Sequence, residues 1–240
     1  VTESRNPGRA AGWWYLLLTL LGPVRLIYIP KHLFVRGDAA ATAANLVAHE
    51  RLFRVGMASD LAAAVVLVMM TLAMWRLFRR VDEQLAALVV ILGGVMPAVL
   101  YFVNIATDEA TLAVARGPAF LSAFDKPQRD ALALLLLKLH DGQNTAAETL
   151  WGAWLIPLGI LVYRSGFLPR FIGWWLWLDG AAYLVMSFTE ILAPAYATKM
   201  FVWFQPALLG EVALVLWLLV RGVRAEELER ESAAVREPHS

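Results

Sequence analysis

Residues 55–78 read VGMASDLAAAVVLVMMTLAMWRLF, with Asp60 and Arg76 as the charged side chains, one near each end. As a helix rising about 1.5 Å per residue, this stretch is long enough to cross a hydrocarbon core ~30 Å thick. Backbone polar groups in lipid must be satisfied within their own segment, so a run of this kind is a helix. Five further runs share its character: Ala10–Ile29, Leu85–Ile105, Leu132–Tyr163, Phe171–Leu192 and Phe201–Val220. The fourth is longer than a crossing needs, and its spanning part is placed at 138–163. The predicted fold class is all-α: a polytopic transmembrane helical bundle of six spans forming a single domain over 1–240, with a charged tail over 225–240.

Composition supports this. Hydrophobic residues make up 60% of the 240 and charged residues 17%, against roughly 45–50% and 25% in soluble domains. Ten tryptophans and six tyrosines suit the aromatic belts of membrane interfaces. A net charge of +1 argues against a nucleic-acid partner, which demands a dense basic face. The chain has no cysteine, which excludes disulfides, thiolate metal ligands and cysteine nucleophiles.

The short connections set an expected orientation. Arg5 and Arg9 precede the first run, Arg76, Arg79 and Arg80 follow the second, Arg164 and Arg170 follow the fourth, and Arg221, Arg224, Arg230 and Arg236 follow the sixth. With six spans these fall on one side, which the positive-inside rule makes cytoplasmic. The expected location is the bacterial cytoplasmic (inner) membrane with both termini inside. The other loops also carry base, including Lys31, Arg36, Arg51 and Arg116. The first run has no small-residue cleavage site after its core and is read as a retained span rather than a signal peptide.

Two outer loops read as helices. Asp38 is placed to cap a helix over Ala39–Arg54 that continues into the second span. Lys126-Pro127 opens another, with Pro127 in a first-turn position, running into the fourth span. Extra interfacial helices are therefore expected on the outer side.

Ionisable groups inside spans are expensive and mark a bundle interior or a watery cavity. Counting up from the cytoplasmic ends, Arg25 lies roughly 21 Å along its helix, Asn104 slightly higher and Glu148 roughly 22 Å. Asp60 is about a turn below the outer end of its span. Glu211 falls near the middle, Glu190 and Gln205 near outer ends, and Asp179 in the inner half. His140, Asn144 and Glu148 are spaced by four and so share a helix face, which Trp151 and Gly152 continue. Gly142 is expected to allow close helix approach. For any one of these residues an interhelical hydrogen bond is a sufficient explanation. As a set, several carboxylates would share a single arginine, Arg25, so some must bind a proton, a cation or water.

Other chemistry is thinly represented. His49-Glu50 and His140-Asp141 lack the helical spacing of Glu-x-x-His metal sites, so no metal is expected. Gly93-Gly94 reads as helix packing. Phosphate-loop, dinucleotide and serine-nucleophile motifs are absent. Nothing in the sequence identifies a cofactor.

The run Leu158-Gly159-Ile160-Leu161-Val162-Tyr163-Arg164-Ser165-Gly166-Phe167-Leu168-Pro169-Arg170 resembles the best-marked segment of a bacterial membrane family catalogued as domain of unknown function 4386. The stretch Gly37–Asn45, followed by Leu52-Phe53-Arg54 and Ser59-Asp60-Leu61, is similar to it too, as is Ala119–Phe124 ahead of the leucine run ending in His140. The resemblance implies a compact multi-helix membrane protein and carries over no catalytic residues. Asp141-Gly142-Gln143-Asn144 stand where more apolar residues are expected in relatives.

The function these residues suggest is binding of a small amphiphilic or lipid-derived molecule in an outward-facing, carboxylate-rich cavity. Conversion of that molecule would use Glu148, Glu211 and Asp60 for acid–base work, since a dry site can keep a carboxyl group protonated near neutral pH. Arg25, Asn104, His140, Asn144 and Glu190 would contact the ligand. Membrane lipid is the expected surrounding partner. A different class of function is an accessory or assembly subunit of a larger membrane complex, with the polar groups as bundle contacts. A small transporter is a third, disfavoured by the lack of an internal repeat.

Overall fold

The computed structural model describes residues 6–223; the charged tail over 225–240 lies outside them. Seven helices make up the described chain: α1 Pro7–Leu33, α2 Ala39–Ala48, α3 Glu50–Phe78, α4 Glu83–Arg116, α5 Lys126–Arg164, α6 Arg170–Leu192 and α7 Pro194–Val220. All but α2 are long and apolar enough to cross a membrane, so the protein is a multi-pass, all-α membrane bundle.

Local chemistry explains the helix ends. Asp38 caps α2 by accepting from the backbone N–H of Ala41 at 2.8 Å, and Asp82 caps α4 by accepting from Leu85 at 3.0 Å. Asp125 accepts from the N–H of Gln128 at 2.8 Å while the Gln128 side chain accepts from the N–H of Asp125 at 3.0 Å. This reciprocal pair satisfies two free donors at the start of α5. The expected single helix from Ala39 into the second span is broken: His49 leaves helical geometry at φ −117°, ψ 36°, and α3 starts afresh at Glu50. Helix α4, the third span, runs past its expected end at Ile105 to Arg116. The polar triplet Thr107-Asp108-Glu109 is helical, and Thr107 and Asp108 are buried.

Two helices contain a wide turn. In α1 the turn Val24–Tyr28 closes with the N–H of Ile29 bonding to Val24, and in α4 the turn Ile91–Val95 closes with Met96 bonding to Ile91. A proline stands two residues beyond the end of each, Pro30 or Pro97. A proline ring clashes with the carbonyl four residues earlier and removes one donor. Widening the preceding turn relieves that clash and lets the helix continue.

The described residues gather into two compact units. One comprises the chain up to Leu17, Val66–Pro97 and everything from Thr145. Within it, α5 and α6 approach backbone to backbone. A Cβ on Gly152 would stand 2.7 Å from the Gly180 carbonyl oxygen, and one on Gly159 2.9 Å from that of Gly173. Gly142, by contrast, has open space around it, so the close approach expected there does not occur. The glycines that serve it are Gly152 and Gly159, about three and about five turns further along the helix.

The other unit comprises Leu18–Val65 and Ala98–Asn144. Its apolar core is Ile29, Leu33, Leu46, Phe53, Met57, Leu112 and Leu137, and it surrounds an ionic cluster.

Candidate functional site

Arg25 stands in the wide turn of α1 and is 1% exposed. Its guanidinium donates from Nε to Oδ2 of Asp108 at 2.9 Å and from a terminal nitrogen to Oδ1 at 2.8 Å. The planar fork matches the carboxylate edge, which makes this the strongest form of ion pair. The rings of Phe34 and Phe53 lie 5.7 and 5.5 Å from the guanidinium carbon, a distance at which ring faces attract a cation. Gly56 allows α3 to come close: a Cβ there would stand 2.8 Å from Ile29 and 3.2 Å from Cδ of Arg25.

His140 of α5 is 1% exposed, with Nδ1 3.1 Å from Oδ1 of Asp108. Neither ring nitrogen completes an aligned hydrogen bond. Asp60 of α3 is 4% exposed. Candidate ligand atoms of Asp60, Asp108 and His140 all lie within 4.8 Å of one another. A turn away, Asn104 donates to the side-chain oxygen of Asn144 at 3.0 Å. Asn104 and Asp108 on α4, and His140 and Asn144 on α5, are each four apart. They form two rungs between the same helix pair.

The unit that contains Thr145 onward has a polar cluster of its own. Glu211 of α7 accepts from the hydroxyls of Tyr15 and of Tyr183, the latter at 3.3 Å. Its backbone N–H donates to Asp179 at 3.1 Å, near the start of the regular part of α7, where donors lack partners within the helix. Oδ1 of Asp179 is buried without a hydrogen bond. Glu148 is half-buried and Glu190 exposed. Gln205 bonds to the carbonyl of Phe201 at 3.2 Å in an exposed turn.

Arg25, Asp60, Asn104, His140 and Asn144 thus fall in one unit, and Glu148, Glu190 and Glu211 in the other. The residue that sequence reasoning missed is Asp108, the partner of Arg25 and the centre of the first cluster. Its four-residue spacing from Asn104 was the available signal. Tyr15 and Tyr183, read only as interface aromatics, supply donors to Glu211.

Six apolar spanning helices with ionisable residues sealed among them define a polytopic membrane protein. The family model described as Domain of unknown function (DUF4386) matches residues 10–222, and the chain belongs to that family. It is also similar to an uncharacterized protein of Archaeoglobus fulgidus, 28% identical over 78 residues, covering 32% of this chain and 45% of that protein. The match therefore spans less than half the length of that relative. No solved structure matches.

Proposed function

We propose that this is a protein of the bacterial cytoplasmic membrane, with both termini inside, that binds a small amphiphilic or lipid-derived molecule through its Arg25–Asp60–Asp108–His140 cluster. The arginines of the short connections support the orientation, which sets these four residues toward the outer face. One observation carries the binding reading: four ionisable side chains from four separate spanning helices converge where water is excluded. Bundle stability alone gains little from such groups, since apolar residues of similar volume pack as well or better. The cluster is also uneven. A single guanidinium answers two carboxylates, and Arg25 spends both of its aligned bonds on Asp108. Asp60 and His140 are left for the polar head of a bound molecule.

The test is extraction in native lipid patches followed by mass spectrometry of intact particles. A small molecule other than bilayer lipid should ride with the wild type in fixed ratio and be lost from Asp60→Asn. A stoichiometric second protein with no small molecule would overturn the reading and favour an accessory subunit.

A further inference from the structure

We infer that Asp60, Asp108 and His140 form a binding site for one divalent first-row transition cation. The inference deepens the function proposed above, by naming what the same cluster would hold, and rests on that cluster being a binding site.

Three observations carry it. First, the donors suit such an ion: an imidazole with two carboxylates is a mixed nitrogen–oxygen set, which serves zinc, iron or manganese better than calcium. Second, the distances suit it. Two ligands about 2.1 Å from a metal and at right angles are about 3 Å apart. Nδ1 of His140 and Oδ1 of Asp108 are 3.1 Å apart, and the whole set lies within 4.8 Å. Small side-chain rotations would bring the third ligand in.

Third, the polar groups are under-used where that is most costly. Nε2 of His140 is buried without a partner, and Nδ1 has only its 3.1 Å approach to Asp108. Asp60 is 4% exposed, and the charged groups beside it are Arg25, His140 and Asp108. Buried polar groups in native proteins nearly always have partners. A cation shared by His140, Asp60 and Asp108 gives the imidazole a partner and offsets the two neighbouring carboxylates.

Arg25 fits the scheme as an orienting neighbour. Metal-bound carboxylates are themselves held by hydrogen bonds from the surrounding shell, and the guanidinium fork fixes Asp108 in that way. Two carboxylates neutralise a dication, so the charge of Arg25 is then free to attract an oxygen-rich head. Three protein ligands leave coordination positions open, the arrangement of exchangeable rather than purely structural metal sites. The amphiphile would accordingly present an oxygen donor.

The test uses the metal alone. Full-length protein in detergent is stripped with chelator, passed through excess zinc, manganese, iron(II) or cobalt(II), desalted and assayed for bound metal. The wild type should retain one ion per chain for at least one of these, and the cobalt form should show visible absorption bands. His140→Ala and Asp60→Asn should retain none while eluting as folded, monodisperse protein. If His140→Ala does not fold, Asp60→Asn decides, together with a metal-dependent rise in the wild-type melting temperature that this variant lacks. Absence of retained metal in the wild type, or equal retention in wild type and variants, overturns the site. Failure here is separable from failure of the binding reading: a small molecule on chelator-treated wild type would sustain that reading without a metal.

Discussion

Arg25 and Asp108 meet through two parallel hydrogen bonds of 2.9 and 2.8 Å, with their side chains 2% and 1% exposed. Removing one member strands the other charge in a dry interior. Arg25→Met or Asp108→Asn should therefore lower the unfolding free energy by about 3–5 kcal/mol. Joint replacement, Arg25→Met with Asp108→Leu, should recover part of the loss, because the two partners leave together and only Asp60 is left without a neighbouring guanidinium. Denaturant unfolding in detergent, followed by circular dichroism, measures both. A double variant as weak as the sum of the singles would contradict the pairing.

The Glu211 cluster yields a second expectation. Tyr15 and Tyr183 both donate to its carboxylate, and the bond from Tyr183 is long at 3.3 Å. Tyr15→Phe should cost about 1–3 kcal/mol, since it withdraws a donor from a buried acceptor. Tyr183→Phe should cost less. The same unfolding assay would reverse the ranking if Tyr183 were the principal donor.

Much of this architecture is legible in the residues and some is not, for identifiable reasons. Hydropathy locates the spans because lipid imposes one rule on every segment. Asp38 and the Lys126-Pro127 start are visible because capping is local. Asp108 escapes because hydropathy scores it as loop: Thr107-Asp108-Glu109 is polar, yet Asp108 faces Arg25 and is buried. The break at His49 escapes because nothing in Val47-Ala48-His49-Glu50 is a strong helix breaker. Matched depth linked Arg25 and Asp60 with Glu148 and Glu211. Depth gives height along a helix and no azimuth, and the two pairs belong to different units.

The glycine seam between α5 and α6 sets a contrast within one helix. Gly152→Ala places a methyl group 2.7 Å from the Gly180 oxygen and should destabilise by about 1–3 kcal/mol. Gly142→Ala meets nothing within 4 Å and should be neutral or stabilising by up to about 1 kcal/mol, as alanine favours the helix. Comparing their melting temperatures checks the packing of this helix pair.

Orientation has its own test. Reporter fusions after Arg80 and after Ser240 should both report cytoplasm, since six crossings return the chain to its starting side. Opposite locations would require an odd number of crossings.

The wide turns before Pro30 and Pro97 can be viewed as single-residue insertions that the helix has absorbed. Each residue of an α-helix advances the chain by about 100°, so a residue too many swings everything beyond it around the axis by that amount. A chain one residue shorter between 24 and 28 would carry an ordinary turn and a differently aimed guanidinium. Arg25 would then miss Asp108, although composition, hydropathy and length of the span would be almost unchanged. Relatives in which this spacing differs should have lost the ionic cluster with it, while keeping the bundle.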